Sequence, residues 1–453
     1  MLPTRRTMRV PLLALLRGGT LVVTACVLGP VTLTAAPPDS TEQPIEVTQA
    51  QNSPAADSLA GTLAAPAHSD SVASAPAAPK TPQRDVFDVL ADLLGKDEMP
   101  VEGSETVQLR NVSVNILPSI GYNSLVGAYL GASVNVAGWP RTTDPNRLST
   151  ISVSATKATL GEFKVQVRSD LWFANEGWIL KGDWRYLDTS QPTYGIGPTS
   201  FSSGEYPMDF VLYRFYEVLY RRVSESSYIG LGYHLNHHTD IVDERAELGE
   251  TTPYSAYSRG LLEESTSSGV SLNLLADTRD SPIAARRGRF TTLTWGLYID
   301  DIGSDETWQE LTGELRVYAR LPRKSNHVIA FWLTQWVTFG DAPYLDLPAI
   351  GWDTYGRSGR GYDQGQIRAP NQAYGEMEYR VQLTRDGLLG AVFFVSATAS
   401  TPPAGQSFGR IDPAGGVGLR LKFTKETRMN LTGDVAWGRE GSTGVYLGMR
   451  EAF

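Results

Sequence analysis

The sequence predicts an all-β protein, a 16-stranded antiparallel transmembrane β-barrel behind a disordered N-terminal tether. Hydrophobic and polar residues alternate with period two from about residue 105 to the end, as in strands that face lipid on one side and water on the other. The chain also contains 44 Gly, 20 Tyr, 14 Phe and 10 Trp, which suit tight turns and interfacial aromatic girdles. An export leader opens the chain. We therefore divide it into a signal peptide (1–36), a tether (37–104) and a barrel (105–453).

The leader begins with basic residues, continues through an apolar stretch and ends in small residues around 34–36. Cys26 is the single cysteine, so an internal disulfide is excluded. Residues 23–26 are similar to a lipoprotein-processing box. The apolar run, however, continues to Leu33, which favours a cysteine that happens to lie within an ordinary leader.

The tether is rich in Ala, Pro, Ser and Thr from Pro37 to Pro82 and has too few large apolar residues to form a packed core. Its end is different. Asp85 to Leu94 has apolar residues at helical spacing and predicts one short amphipathic helix. This helix either rests on the barrel rim or serves as a plug or partner-binding element.

Composition excludes two other classes of protein. The mean hydropathy is −0.21, and beyond the leader no apolar run approaches the roughly 20 residues that a spanning helix requires. A net charge of −9 argues against nucleic acid as a partner.

The alternation is clearest in Glu310–Leu321, where the odd positions are apolar or small and the even ones are mostly charged. Phe290–Ile299 and Gly416–Phe423 follow the same rule. A soluble sandwich would alternate in the same way with its apolar face buried, but the leader and the aromatic content favour the membrane barrel. The final residues, Gly444–Phe453, continue the alternation, apart from Glu451, and place on one lipid-facing side Val445, Leu447, Met449 and Phe453.

Segments of this kind number about sixteen, starting near residues 112, 126, 148, 162, 178, 208, 226, 268, 289, 309, 327, 372, 388, 415, 428 and 444. Tight connections, such as 175–177 and 385–387, alternate with long ones, such as 238–265 and 340–371. Short periplasmic turns and long outer loops are the layout of a bacterial outer-membrane barrel, with both termini in the periplasm.

Several motifs occur in the order found in one known family. Asp277–Pro282 with Arg287-Gly288, then Asp346–Gly351 leading to Arg360-Gly361-Tyr362, then Glu376–Arg380, and finally Asp434 with the ending Tyr446–Phe453, resemble the BamA/TamA-type surface-antigen barrels. The resemblance runs from about residue 111 to the end. The chain looks like a member without POTRA domains, because the tether has neither the apolar content nor the periodicity of such modules.

This resemblance implies that the sixth outer loop folds into the lumen and that Arg360 pairs there with Glu376 or Glu378. It assigns Gly361, Tyr362 and Arg380 to the same loop-anchoring site, and it implies that Tyr446 and Phe453 belong to a C-terminal assembly signal. Two positions depart from the family pattern: Gly359 stands where an apolar residue is usual, and Ser396 stands where an Asp-x-Gly motif usually completes the arginine's site.

The resemblance implies a factor that assembles or translocates proteins or lipids, acts without catalysis and needs no cofactor. Its expected partners are outer-membrane lipids and lipopolysaccharide, with an exported protein or lipid as client, and we expect a monomer. The alternative is a passive pore or structural barrel with a loop-filled lumen. No histidine has an evident catalytic-triad context. The acidic run after His237-His238 is more typical of a solvated outer loop than of a metal site.

Overall fold

The computed structural model describes residues 82–95, 107–109, 112–123, 126–138, 149–173, 176–197, 204–257, 263–282, 284–321, 326–354, 356–403, 407–425, 428–449 and 451–453. The predicted leader, Cys26 and the tether up to residue 81 lie outside these residues. Helices in the described part are all too short or too polar to match a membrane span.

Three short α-helices, three 3-10 helices (Asp300–Ile302, Tyr344–Asp346 and Arg439–Gly441) and seventeen strands make up the regular structure of the described residues. The α-helices are α1 (Val86–Leu93), α2 (Glu244–Glu247) and α3 (Pro253–Ala256). The strands are β1 (Val107–Leu109), β2 (Val112–Asn123), β3 (Gly127–Ala137), β4 (Thr150–Ala158), β5 (Phe163–Phe173), β6 (Trp178–Ser190), β7 (Met208–Arg222), β8 (Ser227–Asp243), β9 (Ser265–Asp277), β10 (Gly288–Tyr298), β11 (Trp308–Leu321), β12 (His327–Gly340), β13 (Asn371–Gln382), β14 (Leu389–Ser400), β15 (Arg410–Thr424), β16 (Met429–Trp437) and β17 (Thr443–Met449).

Strands β2 to β17 form a closed antiparallel barrel of sixteen strands, which confirms the predicted fold class. Each strand pairs with its sequence neighbours, and β17 pairs with β2 to close the ring. Strand β1 is an addition that the sequence did not predict, and it pairs with the beginning of β2. We call the junction between β17 and β2 the seam. Its register contains two residue pairs, whereas β11 and β12 share fourteen.

The two faces of the wall differ as the alternation predicted. Large apolar side chains such as Trp295, Phe331 and Met377 lie exposed on the outer face. Charged side chains such as Glu310, Glu378 and Arg420 point inward and are buried. The apolar outer surface suits lipid, and the polar interior requires partners for its charges.

The connection between β12 and β13 lies at one end of the barrel, which we call the loop end, together with the long connections 191–207 and 244–264. The opposite end, which we call the turn end, contains short connections such as 174–177 and 383–388. Strand β2 begins and strand β17 finishes at the turn end. The connection between β9 and β10 folds inward, so that its residue Ala285 belongs to the same buried cluster as Phe453.

Helix α1 docks on the turn end. Asp85 caps its first turn by accepting hydrogen bonds from the Phe87 and Asp88 amides. The ring of Phe87 meets that of Phe423 at 5.3 Å between centroids, and Asp88 pairs with Lys425 Nζ at 2.7 Å. The predicted helix is therefore present and lies against the rim, at the end of β15.

The end of the chain departs from prediction. Strand β17 stops at Met449. The prediction that Phe453 faces lipid is wrong, because this residue is 8% exposed and packs inside the lumen against Trp332, with ring centroids 5.3 Å apart. The cause is Glu451, whose carboxylate accepts a hydrogen bond from Arg420 Nε at 2.7 Å and so draws the last residues inward.

Candidate functional site in the barrel lumen

The connection between β12 and β13, residues 341–370, turns back into the barrel and fills the lumen. We call it loop 6. Its residues Leu347, Ile350 and Ile367 are buried, and Ala349 bridges to Arg368 to give the loop an internal hairpin. The Arg368 guanidinium donates to the carbonyl oxygens of Tyr344, Leu345 and Leu347. The loop is thus a packed element, as the resemblance implied.

Glycines shape the tip of loop 6. Gly359 has φ +78°, and a Cβ atom there would come within 2.8 Å of Ile350 Cβ. Gly361 has φ +99° and packs against the backbone at Trp437 and Gly438. Both positions therefore favour glycine for conformation and space. Gly359 stands where the family usually has an apolar residue, and here Ile350 fills the space that such a side chain would occupy.

Arg360 projects from this tip into a ring of carboxylates. Its Nη2 lies 2.5 Å from Glu376 Oε1 and also hydrogen-bonds Glu378 Oε1, while its Nη1 lies 2.8 Å from Asp434 Oδ2. The structure therefore brings Arg360 together with both of the acidic residues that the sequence offered. The guanidinium is 4% exposed, Glu378 is fully buried, and the ring of Phe394 lies 3.6 Å below the arginine.

The ion pairs continue along the inner wall. Arg420 Nη1 donates to Asp434 Oδ1 at 2.5 Å, and Arg380 Nε donates to Glu378 Oε2 at 2.7 Å. Arg380 also donates to the carbonyl oxygen of Phe453 at 2.9 Å. We call these groups the anchor network: Arg360, Glu376, Glu378, Arg380, Arg420, Asp434 and Glu451. Buried charges are costly unless paired in this way.

Tyrosines hold the tip from the side of the seam. The Gly361 amide donates to Tyr446 Oη on β17 at 3.0 Å. Tyr362 Oη donates to the Pro413 carbonyl at 2.5 Å and accepts from the Arg439 amide at 3.1 Å. Tyr446 is therefore a lumen residue that contacts loop 6. The part in a C-terminal assembly signal that the resemblance implied for it stays a prediction.

Asp346 anchors loop 6 nearer the loop end. Its carboxylate accepts hydrogen bonds from Asn236 Nδ2 at 2.7 Å and from Ser267 Oγ at 2.6 Å. Burial raises the pKa of Asp346 to about 6, against the opposing effect of these two hydrogen bonds. Folding therefore favours the protonated form of this carboxyl group.

A serine, a histidine and a glutamate lie close together in the lumen, which the sequence analysis did not predict. Ser271 Oγ lies 3.2 Å from His234 Nε2, and His234 Nδ1 lies 3.9 Å from Glu310 Oε1. The three residues come from β9, β8 and β11 and are all buried, with His234 stacked on Tyr216 at 4.1 Å between ring centroids. Sequence patterns give no signal for a contact of this kind. The serine is enclosed, so we interpret the group as part of the polar packing of the lumen.

Asp434 is the partner of Arg360 that the sequence did not assign. The family pattern directed attention to β14, where Ser396 stands, but the third carboxylate comes from β16 instead. Asp434 was recognised only as part of the ending motif, although its inward position on an alternating strand was a usable signal. Within the described ranges, His, Cys, Asp and Glu residues form no group of three that could hold a metal ion.

The fold and the loop-filled lumen define a class, that of sixteen-stranded barrels of the outer-membrane type with an inserted loop. Among solved structures, the chain is similar to BamA from Haemophilus ducreyi lacking POTRA domains 1–3, with a TM-score of 0.53, 14% identity, and coverage of 76% of this chain and 71% of that one.

It is also similar to CdiB from Acinetobacter baumannii (TM-score 0.50, 12% identity) and CdiB from Escherichia coli (TM-score 0.50, 8% identity). Each comparison covers 76% of this chain but 60% and 63%, respectively, of the two CdiB chains. Identities this low establish a shared fold and nothing further. No family model and no curated protein matches the sequence.

Proposed function

We propose that this protein is a bacterial outer-membrane factor that assists the membrane insertion or translocation of a protein or lipid client, without catalysis, by opening its seam. The observation that carries the proposal is the seam itself. On the side of β2 that faces away from β3, Tyr122 and Asn123 pair with β17 and the first three residues pair with β1, so the stretch Asn115–Gly121 has no registered partner there. An unpaired strand edge can add a strand from another chain.

The neighbouring strand pairs make the seam distinctive. Strand β2 shares eleven residue pairs with β3, and β17 shares seven with β16. The gap therefore belongs to one junction and is not a general weakness of the first or last strand. The inward turn of Glu451 and Phe453 contributes, because these residues leave the wall where β17 would otherwise continue beside β2.

Pro118 also lies in β2, where it is in register with Ala132 of β3. Proline donates no ladder hydrogen bond and is tolerated best on an edge strand. Its presence in the first strand of the barrel supports a role for that strand as an edge.

A disulfide across the seam tests the proposal. Tyr122 and Leu447 face each other in register and both are exposed on the outer face. The variant Tyr122→Cys/Leu447→Cys, made with Cys26→Ser, is reconstituted in vesicles. Protease protection then measures the folding rate of an added unfolded barrel protein, and dithionite quenching measures lipid exchange between leaflets.

We expect the unmodified protein to accelerate at least one process, the oxidised seam variant to lose that acceleration, and reduction to restore it. The matched control is Phe331→Cys/Met377→Cys, a registered and exposed pair within the continuous wall, whose oxidation should change neither rate. If the protein accelerates neither process, or if both disulfides act alike, the proposal is wrong.

A passive or structural barrel is the second candidate, and the packed loop 6 favours it. Single-channel recording in planar bilayers distinguishes an open passive pore from a barrel that is plugged by loop 6. A steady open conductance that is unaffected by the seam disulfide would support the pore, whereas a closed baseline would support a plugged barrel.

A further inference from the structure

A cavity opens at the turn end of the lumen. Its wall is formed by the ends of β12 to β16, by the inward connection 278–287 and by Gln83, just before α1. This space lies below the anchor network, on the side away from loop 6. It shares three lining residues with the anchor network, Arg380, Arg420 and Glu451.

The lining of this cavity is strongly basic. Glu451 is its single carboxylate among the described residues, against five cationic side chains: Arg286, Arg380, Arg420, Lys422 and Arg428. Connection 278–287 provides the first of these cations, and the last lies just before β16. The positive charge is therefore presented from several sides of one opening.

These cations fall into two groups. Arg380 and Arg420 belong to the anchor network and have carboxylate partners. Arg428 approaches Asp280 only to 3.7 Å, and the side chains of Arg286 and Lys422 form no ion pair with a described residue. Close by on β11, Arg320 has a buried Nε with no hydrogen-bond partner in the described part of the chain.

The second group carries an electrostatic cost, which the pKa of Arg286 illustrates. Burial lowers the pKa of Arg286, and the positive charges of Arg428 and Arg320 lower it further, with partial compensation from Asp280. Elsewhere in this lumen the chain supplies a carboxylate for each buried guanidinium of the anchor network. Arg286, Lys422 and Arg428 are half-buried around the opening, and a small anion that enters it would supply the negative charge that the chain does not pair with Arg286 and Lys422.

We propose that the cavity at the turn end binds a phosphate group, through Arg286, Lys422 and Arg428 with Arg320 behind them. Several cations converging on one opening suit a small anion with more than one charge and several acceptor oxygens, and guanidinium groups match phosphate oxygens in pairs. The phosphate could be free in solution or part of a lipid headgroup. This inference does not depend on the proposed assembly role.

Binding is measured on the purified full chain in non-ionic detergent at constant chloride. Inorganic phosphate and pyrophosphate are titrated calorimetrically. Mixed micelles containing phosphatidic acid are compared with micelles containing diacylglycerol, which lacks the phosphate. We expect saturable binding of a phosphate-bearing probe that Arg286→Gln/Lys422→Gln weakens at least about tenfold, since charge-assisted hydrogen bonds are lost.

The control Lys157→Gln/Arg245→Gln removes the same charge at the loop end, where both residues belong to other contacts, and should leave affinity nearly unchanged. Lys422→Arg keeps the charge and should retain binding even if the double variant folds poorly. Binding of inorganic phosphate or pyrophosphate would identify a site open to free anions, and binding of phosphatidic acid alone would identify a headgroup site. Absence of binding, or equal loss in the control, would overturn the proposal.

Discussion

Two junctions of the same wall are built differently. Between β11 and β12, fourteen residue pairs run the full length of both strands. At the seam two pairs remain, and the last strand is held from inside the barrel instead: Gly361 donates to Tyr446 Oη at 3.0 Å, and Arg357 Nη2 donates to the Met449 carbonyl at 3.2 Å. A ladder stabilises the first junction, whereas contacts within the lumen stabilise the second.

The sharpest way to break this comparison is to remove Arg360. Arg360→Ala leaves Glu376, Glu378 and Asp434 buried with less positive charge, and breaking a buried ion pair costs about 3–5 kcal/mol. We expect that loss in denaturant unfolding, together with new protease cleavage near Tyr362. Arg439→Ala, at an exposed cation of the loop end, should cost less than about 1 kcal/mol.

Glu378→Ala should produce the same loosening of loop 6 as Arg360→Ala, and the effects on protease sensitivity should be non-additive in the double variant, since the two residues are in contact. Additive effects would mean that the pair does not hold the loop.

The C-terminal tail gives the next largest effect. Phe453→Ala opens a cavity beside Trp332 and Tyr318 and should cost about 3 kcal/mol. The temperature at which the folded, fast-migrating band disappears from unboiled gels measures the change. Val445→Ala, on the outer face of β17, should have a much smaller effect. If Val445→Ala lowered the stability more than Phe453→Ala does, contacts on the outer face would contribute more to the stability of the C-terminal segment than contacts in the lumen.

Acidity should act on loop 6 through Asp346. The pKa of this group is raised from 3.8 to about 6 on folding, so its protonated form stabilises the folded state below about pH 4, and this contribution is lost as the pH rises through 6. The change should reach at most about 3 kcal/mol. Asp346→Asn should remove it, which is measured as the difference between wild type and variant at pH 4 and pH 8. An unchanged difference would show that Asp346 is solvated.

The smallest effect is expected from the tether. Deletion of Pro37–Pro82 should leave barrel formation and heat-modifiable migration intact, because a segment of this composition adds little to a fold. Loss of insertion into the outer membrane in cells would show instead that the assembly machinery recognises the tether.

Local alternation was sufficient to predict the wall. The segment predicted to start near 327 begins at His327, and the one predicted near 178 begins at Trp178. The least accurate start was 415, because β15 begins at Arg410 and its first part contains Asp412 and Pro413, which mask the alternation. Period two also assigned the inward face of β11, since one buried face determines the register.

Contacts between distant strands were harder to predict. The pairing of Arg360 with Glu376 and Glu378 came from the family resemblance, and nothing in the spacing connects Asp434 to the same arginine. The course of Phe453 depends on Arg420, thirty-three positions earlier in the chain, which holds Glu451 inside. Such contacts exist only once the sheet has closed, so the alternation along the chain shows which residues face inward but not which of them meet.

The reach of Arg360 has a mechanical consequence. Its guanidinium joins β13 to β16, two strands that are separated in the wall by β14 and β15. This cross-link spans the section of the wall from β13 to β16, like a chord across an arc, and so fixes the curvature of that section. Any change of the cross-section from round to oval must therefore be taken up elsewhere on the circumference, and the arc that contains the seam has no equivalent chord from Arg360.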